Sequence, residues 1–351
     1  MKVKIYGAGS IGNHYAFGCR QKNWQVTIFD KDPEALIRTR KKIYSLRYGK
    51  WDDKIKLITK DDHLYYDLVI IGTPPDTHLK IAVNCLKFKP KIIHIEKPFC
   101  TPDLKFLRYF VNRARKTRTK IIVGYNQIHT KSVEYVKKFL KFNNLGKIKS
   151  IYSYNKESWN GILAAHPWLK GPQDSYLGYY KKGGGAANEH SHALSLLLFF
   201  FEYLNLGYVK EVSCFMNFIK KNKMHYDSFA NINLITSKDY LGNVVQDVTS
   251  EVKEKVLTIQ GSLGSVKIVS NFDTSNDLVE TTFKGKKKIV LFRKSRPDDF
   301  KGHIEHLNQI LLGKIKNSPV SIDHAIKTSV ILSNCFNSAK KNKKIKVKYR
   351  I

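Results

Sequence analysis

The first third of the chain alternates short apolar runs with longer polar-apolar stretches. "KVKIYGAGSIG" reads as a strand, a glycine turn and the start of a helix that continues through "NHYAFGCRQKNW". "QVTIFD" follows as a second strand ending in Asp30. "DLVIIGTPPDTH" carries an apolar run over Leu68 to Ile71 that the prolines stop, with a helix starting near Asp76. "PKIIHIEKPF" and "TKIIVGYNQ" are two further strands, ending at Glu96-Lys97-Pro98 and near Gly124. Strands alternating with helices predict a doubly wound parallel sheet. In such sheets ligands lie at the carboxyl ends of the strands. Those ends hold Gly7 to Gly12, Asp30, Thr73-Pro74, Glu96-Lys97 and Tyr125-Asn126.

The pattern then changes. "SVEYVKKFLKF" places Val133, Val136, Phe139 and Leu140 on one helical face, and "NNLGK" predicts a left-handed cap. "IKSIYSYNKESW", "VKEVSCFMNFI", "DSFANINLITS", "VTSEVKEKVLTIQG" and "SVKIVS" read as strands. "KGHIEHLNQILLG" and "DHAIKTSVILSNCFNSAKK" read as two closing helices. No repeat or low-complexity linker interrupts this order.

At 351 residues the chain has room for about two domains, and its 42% hydrophobic content is that of a globular protein. The formal charge of +33 is the unusual feature. Its lysines are spread along the chain, with no zinc-finger spacing and no aromatic RNA-binding signature, so no specific nucleic-acid partner is expected. The cysteines (Cys19, Cys85, Cys100, Cys214, Cys335) form no CxxC pair, which suits free thiols in a reducing compartment. The opening "MKVKIYGAGS" begins structure at once, and the longest greasy run, Leu196 to Phe201, is too short to span a bilayer. A cytoplasmic location without a membrane span is expected.

Gly7, Gly9 and Gly12 fit GxGxxG, with Ser10 and Ile11 between the last two. The first glycine permits the tight turn, the second lets a pyrophosphate approach the backbone, and the third lets helix and strand pack. Asp30 ends the second strand, where an acid accepts hydrogen bonds from the adenosine ribose and repels a 2′-phosphate. That points to NAD, with NADP possible beside Lys31. Further along, "GGGAANEHSH" runs from Gly183 to His192 into "ALSLLLFF". If a helix runs from about Asn188, Glu189 and His192 share a face, and His190 lies about 200° round from His192. A loop before a buried helix is the plain reading. A glycine-floored pocket with a proton-transfer group is the sharper one. The split histidines and the lack of a spaced Cys/His quartet predict no metal.

Taken together, "GAGSIG", "IGTPPDTH", "IEKPF", "GKIKSI" and "GGGAANEHSHAL" resemble the Gfo/Idh/MocA family of NAD(P)-dependent oxidoreductases, from the first strand to about Ile268. The resemblance implies an α/β protein. Residues 1–124 form a Rossmann doubly wound parallel sheet. Residues 125–351 form a substrate-binding and oligomerisation α/β domain with an open, mostly antiparallel sheet. It implies a homo-oligomer acting on a sugar or sugar derivative, possibly nucleotide-linked as in surface-polysaccharide biosynthesis. The alternative is a non-catalytic dinucleotide-binding sensor or scaffold of the same fold.

Lys97 and His192 map to the catalytic positions. Gly7, Gly9, Ser10, Ile11, Gly12, Asp30, Thr73, Pro74, His78, Glu96, Lys97 and Asn126 map to cofactor contacts. Lys97, Asn126, His166, Trp168, Tyr176, Glu189 and His192 map to the substrate side. The aromatic residues of "AAHPWLKGPQDSY" suit the apolar face and hydroxyl edges of a sugar ring. Two departures from the family pattern stand out. Ser195 replaces the acid often found three residues beyond the histidine, and Ile128-His129 replaces an Arg-Phe pair.

Overall fold

Most residues of the N-terminal strands are buried, as expected for strands covered on both faces. The structure is a computed structural model that describes residues 1–142 and 145–349. Its first elements are β1 (Lys2–Tyr6), α1 (Ser10–Arg20), β2 (Gln25–Phe29), α2 (Pro33–Arg38), α3 (Tyr44–Tyr48), β3 (Ile55–Ile58), β4 (Leu68–Ile71), α4 (Pro75–Leu86), β5 (Ile92–Ile95), α5 (Leu107–Ala114) and β6 (Lys120–Val123). The strands pair in parallel in the order β3-β2-β1-β4-β5-β6. The order reverses between β1 and β4, so the crevice beyond their carboxyl ends is where a dinucleotide fits.

The second sheet begins after α6 (Lys131–Phe142) with β7 (Ile148–Lys156). The expected cap after α6 starts at Asn143 and Asn144, which lie outside the described residues; Gly146 beyond them has φ +75°. Three short helices follow: α7 (Trp159–Ala164), α8 (Ala186–Glu189) and α9 (Ser191–Tyr203). Then come β8 (Val209–Lys221), β9 (Met224–Thr236), β10 (Leu241–Asp247), β11 (Glu254–Gly261), β12 (Gly264–Val269), β13 (Asn276–Phe283) and β14 (Lys286–Arg293). The chain closes with α10 (Arg296–Leu311), α11 (Ile322–Lys341) and β15 (Ile345–Lys346). The nine strands run in the order β14-β13-β12-β11-β7-β10-β9-β8-β15. Every pair is antiparallel except β7 with β10.

This sheet has one covered face and one open face. Along β7, Ile151, Ser153 and Asn155 are buried while Tyr152 and Tyr154 stand half-exposed. Helix α9 lies on the covered face, where a Cβ on Gly242 of β10 would come 2.6 Å from Phe201 Cζ. The glycine lets helix and sheet approach this closely.

Several elements differ from the sequence reading. The stretch 248–261 was expected as one strand, but only Glu254–Gly261 is extended. Asp247 Oδ1 accepts from the backbone N–H groups of Thr249 and Ser250, a local turn that competes with the strand. Strands β3, β10, β13 and β15 carry too few uninterrupted apolar residues to be read from pattern, whereas β14 was missed despite its run Ile289 to Phe292. The domain expectation also needs correction. One compact unit comprises Met1–Cys100, Lys105–Gly124 and Pro297–Ala325, and the other Thr101–Leu104, Tyr125–Arg296 and Ile326–Ile351. A single boundary at 124/125 therefore misses the return of the chain to the first unit. The cause is packing. Gly18 of α1 admits Ile304 of α10 so closely that a Cβ there would collide with it, and Val123 N–H donates to Val320 O.

Candidate functional site

In the first unit the glycine turn is built as a cradle. Gly7 has φ +103°, which side-chain-bearing residues rarely adopt. A Cβ on Gly12 would collide with the Gly7 carbonyl, whereas a Cβ on Gly9 would meet nothing within 4 Å. So Gly7 and Gly12 are required by the turn itself, and Gly9 faces open space. Gly9 gives α1 no side-chain cap, and the first turn of the helix has no acid. The helix therefore presents uncompensated N–H groups, the arrangement that attracts a phosphate. Buried Ser10 Oγ has no partner among the described residues. Ile11 is half-buried, with its Cγ2 lying 3.4 Å from where a Cβ on Gly72 would be.

Asp30 is held at the end of β2. Its Oδ2 accepts from Ala8 N–H at 2.9 Å and its Oδ1 from Asp32 N–H at 3.0 Å. Each carboxylate oxygen keeps a second lone pair for a hydroxyl donor. These donors and acceptors fit the pyrophosphate and adenosine ribose of a dinucleotide.

Two expected cofactor residues turn inward. His78 is fully buried, with Nε2 2.7 Å from Thr73 O and Nδ1 3.1 Å from Pro98 O. Burial lowers its pKa, against the opposing pull of these backbone carbonyls. It braces the loops after β4 and β5 instead of reaching a ligand. Thr73 and Pro74, in the first of those loops, remain partly exposed. The carboxylate of Glu96 is likewise occupied by protein. Oε1 accepts from Tyr15 OH at 2.8 Å and lies 3.3 Å from His94 Nε2, and Oε2 accepts from Lys97 N–H at 3.1 Å. Burial alone would raise its pKa, but the His94 and Tyr15 hydrogen bonds and the Lys97 charge outweigh burial and hold it below the usual range. Lys97 itself is half-buried and precedes a cis bond to Pro98.

In the second unit, the helix expected from Asn188 is two helices. Helix α8 starts earlier, at Ala186, and the chain breaks at His190 (φ −93°, ψ 19°) before α9. From Gly183 to Phe201 every residue is buried except Glu189 and His192. These two side chains are thus the half-buried ones in an otherwise buried segment. His192 also meets the edge of the Tyr125 ring, 5.8 Å between centroids. His190 is buried, with its carbonyl accepting from Gln246 Nε2 at 2.5 Å. Asn126 is buried in the short turn after Tyr125, and Ile128 packs inward as well.

The aromatic loop is partly occupied by its own packing. Tyr176 joins a cluster of Ile162, Leu177, Ala186, Tyr226 and Val248. His166 Nδ1 lies 3.0 Å from Ile162 O, and its ring stands edge-on to Trp168 at 5.5 Å. Both rings stay half-exposed.

Sequence reading missed Asp227 and Gln246, sheet residues that hydrogen-bond Ala187 N–H and His190 O on either side of Glu189. An acid inside the apolar run of β9 was the available signal. Among the described residues no group of three His, Cys, Asp or Glu side chains could hold a metal ion, and no helix is long and apolar enough to cross a membrane.

No curated protein matches the chain. Solved structures match it over its whole length. Levoglucosan dehydrogenase in complex with NADH and levoglucosan is 15% identical, with TM-score 0.78 and 100% of both chains covered. The WlbA dehydrogenase of Bordetella pertussis, in complex with NADH and UDP-GlcNAcA, is 15% identical, with TM-score 0.74 and 99% of each chain covered. An oxidoreductase of Agrobacterium radiobacter, in complex with NAD+, L-tartaric acid and magnesium, is 15% identical, with TM-score 0.76, 99% of this chain and 98% of that one covered. At such identity these likenesses establish the fold. The family model described as an oxidoreductase family with an NAD-binding Rossmann fold matches residues 1–125. Over those residues the chain is similar to the Gfo/Idh/MocA oxidoreductase family.

Proposed function

We propose that the chain is an enzyme that transfers a hydride between NAD(H) and a hydroxyl-bearing carbon of a sugar or sugar derivative. The observation that carries this reading is that Glu189 and His192 alone are partly accessible within the buried segment 183–201, in a chain whose first 125 residues match an NAD-binding oxidoreductase family. The nicotinamide supplies the hydride acceptor or donor when bound. Gly7, Gly9 and Gly12 and the N-terminus of α1 hold the pyrophosphate, with Ser10, Ile11, Thr73, Pro74 and Asn126 around the dinucleotide. Asp30 takes the adenosine ribose hydroxyls and disfavours a 2′-phosphate, which selects NAD over NADP.

His192 accepts the substrate hydroxyl proton at Nε2, because Nδ1 is buried in the protein. Glu189 favours the imidazolium that results. Lys97 offers its ammonium group to the oxygen that loses the proton. His166, Trp168 and Tyr176 line the sugar side.

The sugar class is supported by the levoglucosan and UDP-GlcNAcA held by structures of this fold. The net charge of +33 suits an anionic derivative, whose turnover would fall with moderate salt. Self-association is supported by the open sheet face, where Phe215, Ile289 and Leu291 are exposed. Sedimentation would show a species larger than the monomer.

The test is fluorescence titration with NADH and NADPH. NADH should bind more tightly than NADPH, and Asp30→Ala should weaken NADH binding. If neither nucleotide binds the wild type, and none is already bound, the reading is wrong.

A further inference from the structure

We infer that Asp227 is a positioning residue of the active segment, acting through the backbone of Gly185–Ala187 to fix where Glu189 and His192 stand. The inference rests on the reading of His192 as the proton acceptor.

Asp227 is fully buried on β9. A β-bulge aims it. Residue Asn217 of β8 pairs with Phe229, but Phe218 pairs with Asp227, so Ser228 is an extra residue on β9. Without that residue Asp227 would oppose Ile219 and share the open face with Phe229 and Asn231. With it, Asp227 opposes Phe218 and shares the covered face with Cys214 and Met216. Bulges re-aim side chains in this way near functional sites.

On that face the carboxyl meets the glycine loop. Oδ2 accepts from Ala187 N–H at 2.7 Å. Gly185, which precedes α8, has no side chain to cap the helix. The carboxyl from the sheet supplies the cap that the local sequence lacks. The fit is tight, for a Cβ on Gly185 would collide with Asp227 Oδ1, and Gly185 has φ +83°. On the neighbouring strand Gln246 donates to His190 O at 2.5 Å. The segment is thus clipped to the sheet on both sides of Glu189, one turn before His192.

The arrangement is costly for stability alone. Oδ1 has no hydrogen-bond partner among the described residues. Burial, the dominant influence, pushes the carboxyl up to about 8 despite the Ala187 hydrogen bond. Its electrostatic neighbour Cys214 is a buried thiol and offers no compensating positive charge. An apolar residue there would remove the desolvation cost but leave the buried Ala187 N–H without its acceptor. A placement role accounts for the retained acid. Neutral near pH 7, the group is mimicked by an amide, whose carbonyl oxygen can still accept from Ala187 N–H.

The experiment compares full-length wild type, Asp227→Ala and Asp227→Asn by two readouts. The first is the titration of His192 followed by NMR, which needs no substrate. Asp227→Ala should move the His192 midpoint by about 0.5 unit or more, and Asp227→Asn should restore it. The second is turnover with NAD+ and levoglucosan as the probe. In Asp227→Ala kcat should fall about tenfold or more with KM for NAD+ unchanged, and Asp227→Asn should recover it. A wild-type protein that does not turn over this probe counts against levoglucosan as substrate and leaves the NMR comparison in force. A wild-type His192 midpoint in Asp227→Ala overturns the inference. If that variant does not fold, amide exchange in the wild type decides. Ala187 N–H should be strongly protected, and exchange at the rate of an uncapped first-turn amide would overturn the inference.

Discussion

Tyr15 of α1 donates its hydroxyl to Glu96 Oε1 at 2.8 Å, joining the helix of the glycine turn to the strand end that carries Lys97. His94 lies on the same oxygen, and His303 of α10 faces His94 Nδ1 at 3.2 Å. A buried carboxylate is thereby tied to α1, β5 and α10. Tyr15→Phe leaves that carboxylate short of a donor and should cost about 1–3 kcal/mol in urea unfolding near pH 7. Because the folded pKa of Glu96 is depressed, its contribution is present above the unfolded value and is lost as pH falls through the folded one. Removing the tyrosine donor raises the folded pKa, so the acid-unfolding midpoint of the variant should move to higher pH. Unchanged stability and an unchanged midpoint would contradict this role.

Glu157 follows β7 and leads into α7, upstream of the aromatic loop. Lys255 Nζ at 2.8 Å and Lys253 Nζ at 3.0 Å flank its carboxylate. Burial raises its pKa, but the two lysines, Lys255 foremost, outweigh burial and bring it to about 2. The pairing stabilises the fold by about 3 kcal/mol at most, fully above the unfolded carboxylate value and less as pH falls from about 4.5 toward about 2. Lys255→Met should therefore lower stability at neutral pH and flatten its dependence on pH in that window. Parallel stability curves for the two proteins would count against the pairing.

Gly9 and Gly12 lie three residues apart but should fail differently. A Cβ on Gly12 runs into the Gly7 carbonyl, so Gly12→Ala should lower thermal stability markedly. A Cβ on Gly9 meets nothing, so Gly9→Ala should fold normally and weaken NADH binding about tenfold or more by obstructing the pyrophosphate. Circular dichroism melts beside NADH titrations separate the two. Normal NADH affinity in a folded Gly9→Ala would mean that the nucleotide does not cross that turn.

Five strands of the first unit were legible in the sequence because they are short, mostly apolar and end before glycine or acid; the edge strand β3 was not. Leu68 to Ile71, read from the run before the prolines, is the observed β4. The candidate site was picked out where residue chemistry and glycine spacing coincide, as at Gly7 to Gly12 and at Glu189 and His192. It was illegible where long-range packing decides. Nothing local tells that His78 and Glu96 spend their polar atoms on Thr73, Pro98, Tyr15 and the Lys97 amide. The helix break at His190 sits beside long-range hydrogen bonds from β9 and β10, and a bulge at Ser228 leaves no trace in hydrophobic periodicity. Pro297–Ala325 joins the first unit through Ile304 and Val320, contacts that an amphipathic pattern records only as one more helix.

The central claim is tested most directly by following NADH formation from NAD+ with a panel of neutral and acidic sugars, for the wild type and His192→Ala. NADH binding is measured on the same samples. The account predicts sugar-dependent NADH formation by the wild type. It predicts that His192→Ala binds NADH as tightly but turns over about 100-fold more slowly. Undiminished turnover in His192→Ala, or a wild type that binds NADH but reduces NAD+ with none of the sugars, would contradict it.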